Sequence, residues 1–559
     1  MKISNLLRIP QNKYPVKVIL CWLWHAWRGN RLQAVLNAVL GLLGVAASLL
    51  SVWAVQNAID VASHARSGSL YWAVAVMGIF VLCDFAVNIA SVWVRNILGI
   101  KAQNRMQQQM LDRILRSEWH GRERMHSGDV LNRLELDVKN VVEFLTETMP
   151  STLSVVALFL GSFFYLFSMD AMLAVVIVIM LPLFMLVSRL YVGRMRSLTR
   201  NVRNCDSRVQ SVLQETIQNR MLIKTLEKDE AMIERLETTQ SELRHNVVRR
   251  TVFSLFSSFV LNFGFAVGYL VAFLWGAVRM YGHTLSFGGM TAFLQLVARI
   301  QGPARNLTKL VPQFVSVLTA AERLMELEEN PLEEQGAPVH IADDGGVGVR
   351  FENVTYAYED GERDIMKNFS FDFTPDSCTA VLGETGTGKT TLVRMILALI
   401  RPAEGRAVIY NGRGDCRQLS SLTRCNFVYV PQGNTLLSGT IRDNLRLGCL
   451  SATDEDMLDA LHRACADFVS ELPDGLDTVC SESGGGLSEG QAQRIAIARA
   501  LLRDGSVMLF DEATSSLDPD TERRLLSNLL TDKRRTIIFV THRMAVVDYC
   551  DKVLRMERL

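Results

Sequence analysis

A chain of 559 residues is longer than one ordinary domain, and its formal net charge of +1 leaves no basic excess for a nucleic-acid partner. With 49% apolar but 21% charged residues, it cannot be uniformly apolar; the mixture fits membrane-embedded and soluble parts in one chain. Its ten cysteines form no CxxC pair and no Cys/His cluster at metal spacing, so reduced thiols are expected rather than a zinc site or a disulfide scaffold.

In chain order, residues 1–31 form a polar N-terminal segment. Lys17–Arg31, with Trp22, Trp24 and Trp27, reads as an amphipathic helix at a membrane interface or as an ordinary juxtamembrane helix. No cleavable signal peptide is expected, because a long polar region precedes the first apolar run. Residues 32–328 then carry long apolar stretches. Val35–Val55, Trp72–Val94, Pro150–Ser168, Ala171–Val187 and Val252–Val278 each approach the ~20 residues of helix that cross a hydrocarbon core. Phe287–Ile300 is shorter and holds Arg299, but its apolar pattern resumes after Pro303, as in a helix leaving the membrane. Six spans are expected. Basic residues crowd the segments 2–31, 95–147 and 188–250 and are nearly absent from the other loops, which places both chain ends on the cytoplasmic side.

Only Met169 and Asp170 separate the third and fourth spans, a tight helical hairpin. The polar segments Asn96–Phe144 and Ser188–Arg250 are too long for loops and read as helices continuing into the cytoplasm, turning back near Gly121–Gly128 and Ser211–Asn219. Residues 329–346 are expected as a linker. From Val347 to the C-terminus short β-branched runs alternate with helical patterns: Thr379–Leu382, Phe427–Val430, Val507–Phe510 and Thr536–Val540. That is the pattern of a mostly parallel α/β sheet. The expected fold is therefore multi-domain: an all-α six-helix transmembrane domain with long cytoplasmic extensions, then an α/β domain over 347–559.

The chemistry lies at the strand ends. Gly383, Glu384, Thr385, Gly386, Thr387, Gly388, Lys389 and Thr390 fit G-x-x-x-x-G-K-[ST] between a strand and a helix entered at Thr391. Glycines let backbone N–H groups wrap phosphates, and the helix N-terminus adds positive potential. Lys389 would reach the β- and γ-phosphates of ATP, and the Thr390 hydroxyl would ligate Mg²⁺. Val507–Phe510 is an apolar strand ending in Asp511, which would hold Mg²⁺ through water, and Glu512, placed to orient or deprotonate the attacking water.

Leu487-Ser488-Glu489-Gly490-Gln491, followed by Gln493-Arg494-Ile495-Ala496-Ile497-Ala498-Arg499-Ala500, resembles the signature of ATP-binding cassette (ABC) transporters, with Glu489 where glycine is commonest. The resemblance implies further roles: Tyr358 stacking on adenine, Gln432 sensing Mg²⁺ and the transmembrane helices, Asp518 in the loop Ser515–Asp518, His542 near the γ-phosphate, and Glu482 before Gly484–Gly486 contacting coupling helices. It also implies that two cassettes pair head to tail, each ATP lying between one phosphate loop and the other's Ser488, Gly490 and Gln491. One cassette per chain then requires a second half-transporter, by default another copy. The working unit would sit in a bacterial inner membrane among its lipids and move an amphipathic lipid, drug or peptide.

A soluble ABC ATPase is excluded by residues 35–300. An importer built on the exporter fold, a heterodimer and a degraded regulatory partner stay open; no N-terminal peptidase region precedes the spans, which argues against a peptide-cleaving exporter. Polar residues inside spans, Asn37, Asp84, Asn88, Tyr165, Asn262, Gln295 and Arg299, are candidates for a substrate cavity, unless Asp84 and Arg299 pair with each other or reach the membrane surface.

Overall fold

The computed structural model of the chain describes residues 13–119, 127–342, 346–358, 364–480, 486–531 and 534–558. Two compact units emerge: Met1–Met110 with Leu131–Glu326, and Leu111–Val130 with Leu327–Leu559.

The first unit is helical. Helix α1 (Val16–Ala26) buries Ile19 and Leu23 and exposes Val18, Leu20 and Trp24, the split of an interfacial helix. Long helices follow: α2 (Arg31–Ala62), α3 (Leu70–Arg116), a run of α4 (Ser127–Asn132), α5 (Val138–Glu143) and α6 (Met149–Met169) joined by π-helical turns, α7 (Ala171–Gln218), short α8 (Arg220–Thr225), α9 (Asp229–Tyr281) and α10 (Phe287–Glu329). All six expected spans fall within these helices, and among the described residues four helices are long and apolar enough to cross a membrane. Trp72, Leu82, Ile89, Trp93, Leu270 and Leu274 are exposed, as side chains in contact with lipid should be.

The weak sixth span has a physical reason. Phe293, Leu296, Val297 and Ile300 of α10 are buried in a cluster with Val52, Leu166 and Leu173, so α10 is an interior helix with little apolar surface left for lipid. Asp170 forms the predicted hairpin: it caps α7 by accepting from the Leu173 N–H at 3.0 Å, while its second oxygen accepts from Trp275 Nε1 and pairs with Arg279, both at 3.0 Å. At the C-terminal end of α2, Asp60 accepts from the Gly288 N–H at 3.0 Å, where a Cβ on Gly288 would lie 2.4 Å from Gln56 O.

One expected turn is displaced. Ser211–Gln218 stays helical, and the chain reverses around α8, between Asn219 and Lys228, with Glu227 in the left-handed region at φ 54°. Of the other turn, Gly121–Met125 and His126 lie outside the described residues, as do Glu482, Gly484 and Gly485.

The second unit holds strands β1 (Val347–Tyr356), β2 (Met366–Phe373), β3 (Cys378–Gly383), β4 (Glu404–Asn411), β5 (Cys416–Gln418), β6 (Phe427–Val430), β7 (Gly439–Thr440), β8 (Val479–Cys480), β9 (Val507–Asp511), β10 (Thr536–Val540) and β11 (Lys552–Met556). Its helices are α11 (Lys389–Ile396), α12 (Ile441–Arg446), α13 (Asp454–Arg463), α14 (Glu489–Leu501), α15 (Pro519–Leu530) and α16 (Met544–Val547). The central sheet has the order β11-β3-β10-β9-β6 and every pairing is parallel, as expected. Its middle strand β10 is buried throughout, since both faces are covered. A second, antiparallel sheet, β2-β1-β4-β5, was not expected. Its strands bury and expose residues without regular alternation and are irregular where β1 shifts register against β2 and β4, so neither an apolar run nor a period marked them. A buried cluster of Val349, Phe351, Leu392, Ile396, Ile409 and Leu509 fills the space between the sheets. The segment after α3 belongs to this unit: Ser117 bridges Leu332, Glu118 N–H donates to Pro331 O, and Glu333 N–H donates to Arg116 O, both at 2.8 Å.

Candidate functional site

Strand β3 delivers the chain to the phosphate loop at the C-terminal end of the parallel sheet, where open α/β sheets bind ligands. Gly386 (φ 89°) and Gly388 (φ 94°) occupy conformations that L side chains avoid, and Gly388 opens α11. Gly383 is required by crowding: a Cβ there would lie 2.6 Å from Thr387 Oγ1 and 2.7 Å from Met556 O. Thr387 ties the loop by donating to Glu384 O at 2.9 Å, and Lys389 Nζ donates to Gly383 O and Glu384 O. Glu384, Thr385 and Thr390 are exposed at the loop mouth. The loop therefore presents free N–H groups, an ammonium and a hydroxyl at one helix N-terminus, the equipment for a polyphosphate.

Strand β9 brings Asp511 and Glu512 beside it. Burial, then the neighbouring Glu512 charge, pushes the Asp511 carboxyl above its ordinary value; the Tyr429 hydroxyl at 3.4 Å, Lys389 and Arg394 act the other way. Glu512 sits in the left-handed region at φ 48°, its N–H held by Val540 O at 2.8 Å on the next strand. That backbone turns its carboxylate towards Gln432, whose Nε2 donates to it at 2.7 Å, and towards His542 Nδ1 at 3.5 Å. Gln432, expected to sense Mg²⁺, thus meets Glu512 and His542, expected at the attacking water and the γ-phosphate, although the three arrive from β6, β9 and β10.

Ser488, Gly490 and Gln491 form the N-terminus of α14. Ser488 Oγ accepts from the Gln491 N–H at 3.2 Å, Gln491 Oε1 accepts from the Ser488 N–H at 2.9 Å, and this capping box fixes the turn. Among the described residues no contact joins Ser488 or Gly490 to Lys389 or Thr390. Asp518 accepts from the Thr521 N–H at 2.9 Å and so caps α15; that bond holds its carboxyl below the ordinary range. The link from α14 to Glu512 is Gln493, which donates to Glu512 O at 3.3 Å and accepts from Ser516.

Several residues at the site were not anticipated from the sequence. Arg543 spans the Ser515–Asp518 loop, donating to Ser515 O at 2.7 Å and Leu517 O at 3.1 Å and pairing with buried Glu522 at 3.0 Å. Tyr358 OH lies 3.2 Å from Thr391 Oγ1 and accepts from Arg394 Nη1 at 3.0 Å, and the Arg394 guanidinium lies 4.3 Å from the Trp119 ring centre. Only adjacency to the motifs, as with Arg543 next to His542, could have flagged any of them.

The polar residues of the spans separate into two groups. Asn37 is buried and donates to Thr146 O at 2.8 Å, and Tyr165 OH donates to Gln56 Oε1 at 3.1 Å, so both are engaged in helix packing. Arg299 is half-buried, donates to Ser51 Oγ at 3.4 Å and feels the Asp84 carboxylate without reaching ion-pair distance. Asp84, Asn88 and Asn262 are exposed and Gln295 is half-buried.

The family model for the ABC transporter transmembrane region matches residues 35–304, and that for the ABC transporter ATPase, described simply as ABC transporter, matches residues 366–515. The chain is 30% identical over 536 residues to an ABC transporter ATP-binding protein of Sinorhizobium fredii, covering 91% of this chain and 87% of that one. It is 29% identical over 556 residues to the ATP-dependent lipid A-core flippase of Bordetella avium, covering 97% and 93%. A bacterial Atm1-family ABC exporter solved with ATP bound shares its fold, with TM-score 0.77 and 21% identity over 94% of each chain. A helical membrane domain fused to a complete nucleotide-binding sheet, with relatives matched almost end to end, makes this integral membrane protein a member of the ABC transporter family that couples ATP hydrolysis to transport.

Proposed function

We propose that two copies of this chain form an exporter or flippase for an amphipathic molecule in a bacterial inner membrane, with the ATPase domains (from about residue 347) and both termini in the cytoplasm. The observation that carries it is the meeting of Gln432, Glu512 and His542 beside an intact phosphate loop; Glu489 is the one departure among the motifs, and its neighbours Ser488 and Gly490 are both present. The lipid A-core flippase of Bordetella avium, similar over nearly the whole chain, supports a lipid-like substrate.

The oxygen donors at the site fit Mg²⁺: the Thr390 hydroxyl, the Asp511 carboxylate and the Gln432 amide oxygen suit a hard cation, and a cation there would offset the burial of Asp511. Bound Mg²⁺ would neutralise charge on the β- and γ-phosphates. The chain's own residues do the rest. Gly383–Gly388, Lys389 and Thr391 hold the phosphates of ATP, and Tyr358 meets the adenine. Glu512 orients the attacking water and accepts its proton, while His542 holds the γ-phosphate. Ser488, Gly490 and Gln491 of the second copy, with its Asp518, close over the same nucleotide. Hydrolysis opens that interface and resets the spans.

At membrane depth, Arg299 and Asp84 line the path of the substrate's polar end, because neither faces lipid cheaply. Purified chain in proteoliposomes should translocate labelled lipid with ATP and Mg²⁺ and stop when the metal is chelated. Arg299→Gln should change which amphipaths stimulate hydrolysis. Recovery of the parent profile on adding Asp84→Asn would make the pair structural, and parent behaviour in both single variants and the double would place these groups in water at the membrane surface.

A further inference from the structure

We infer that Arg394 is a positioning residue for nucleotide binding, and that Trp119, from the segment following α3, sets the affinity for ATP through it. The inference rests on the proposed stacking of Tyr358 on adenine.

A tyrosine that stacks on a base must have its ring held at one angle, and a phenol on a loop has two ways to achieve this: its hydroxyl and its ring edge. Tyr358 uses both. Its hydroxyl accepts from Arg394 at 3.0 Å and lies 3.2 Å from Thr391 Oγ1, so two residues of α11, the helix that carries Lys389, fix the ring's far end. Tyr356 fixes the near end edge-to-face, with ring centres 5.1 Å apart at 84°. Arg394 in turn is long and half-buried, and a guanidinium needs support on its face to hold one rotamer. Trp119 supplies it, with the guanidinium carbon 4.3 Å from the ring centre.

Trp119 is itself docked. Its neighbour Glu118 pairs with Arg401 at 3.2 Å, and the Ser117–Leu332 bridge anchors the segment against the chain that leaves α10. Beside the ring is a cavity of about 260 Å³, lined by Glu118, Tyr356, Ala398 and Arg401 among others, which gives the indole room to change position. α3 is one continuous helix from Leu70 to Arg116, so a shift of that helix reaches Trp119 three residues past its end. The path from spanning helix to adenine pocket is then Trp119, Arg394, Tyr358, separate from the contact between Gln432 and Glu512.

Steady-state hydrolysis by the full-length chain tests this. Arg394→Gln and Trp119→Leu should each raise KM for ATP about three- to tenfold, the size of losing one cation–π contact or charge-assisted hydrogen bond, and more than either lowers kcat. Their combination should be no worse than the worse single change, and Trp119→Phe, which keeps an aromatic face, should restore the parent KM. In a Tyr358→Phe background, Arg394→Gln should have no further effect on KM. Since Trp119 is the sole tryptophan among residues 111–130 and 327–559, its emission, read as parent minus Trp119→Phe, should shift when Mg-ATP is added. That spectrum decides the matter should Trp119→Leu fail to fold. A parent KM in Trp119→Leu, multiplicative effects in the double variant, an unmoved spectrum, or a loss confined to kcat in Arg394→Gln would each overturn the inference; the last would put Arg394 on Asp511 instead. A parent chain that binds no ATP would instead overturn the nucleotide reading beneath it.

Discussion

Glu512 combines a left-handed backbone, φ 48°, with two polar partners, and a non-glycine residue is held there only when its surroundings demand it. Because Gln432 and His542 both address its carboxylate, Glu512→Gln should keep ATP binding while lowering kcat about 10²- to 10⁴-fold, measured by nucleotide binding alongside phosphate release. Parent turnover in that variant would mean another acid serves. Lys389→Ala should differ in kind, weakening ATP binding as well as hydrolysis, because the phosphate charge loses its cation. Gln432 and His542 were named only through the family resemblance; Lys389 and Glu512 were legible because each sits in a contiguous motif whose spacing follows from a strand, a turn and a helix. Arg394 and Trp119 were not. They meet only after the chain segment behind α3 folds onto the second unit, and nothing local in either stretch records that contact.

Among the elements, the α6–α7 hairpin shows what one residue can organise. The two-residue gap at Met169 and Asp170 announced the turn, but not that Asp170 also reaches Trp275 and Arg279 at the end of α9. With its side chain 5% exposed and three partners to lose, Asp170→Ala should cost roughly 2–4 kcal/mol, seen as a lower thermal midpoint in detergent. Arg279→Ala should cost clearly less, since Arg279 is half-exposed and Asp170 keeps its other two bonds. Equal losses from the two would show that the ion pair, not the cap, holds the hairpin. The misplaced reversal between α7 and α9 has a comparable origin. Ser211–Gln218 is polar enough to look like a turn, yet Val212, Leu213 and Ile217 keep a helical spacing, and the break comes only at Asn219 and at Glu227. The antiparallel sheet was illegible for the opposite reason, strands too irregular to show a period.

For the whole molecule, span count and sidedness rest on hydropathy and charge, and labelling tests them. With Cys21 and Cys83 replaced, cysteines at Ser67 or Gly282, both exposed, should react with an impermeant thiol reagent from outside the cell. Cys416, exposed in the second unit, should react only after the membrane is opened. Cys480 cannot report on this, being 1% exposed. Labelling of Cys416 in intact cells would reverse the assigned orientation. Whether copies of this one chain suffice as an ATP-driven transporter is read from the ATPase activity of the purified chain alone, reconstituted with Mg²⁺, beside its Glu512→Gln variant. The expected result is steady hydrolysis by the parent and almost none by the variant. A parent chain that binds ATP yet hydrolyses it only when a second, different chain is added would contradict it.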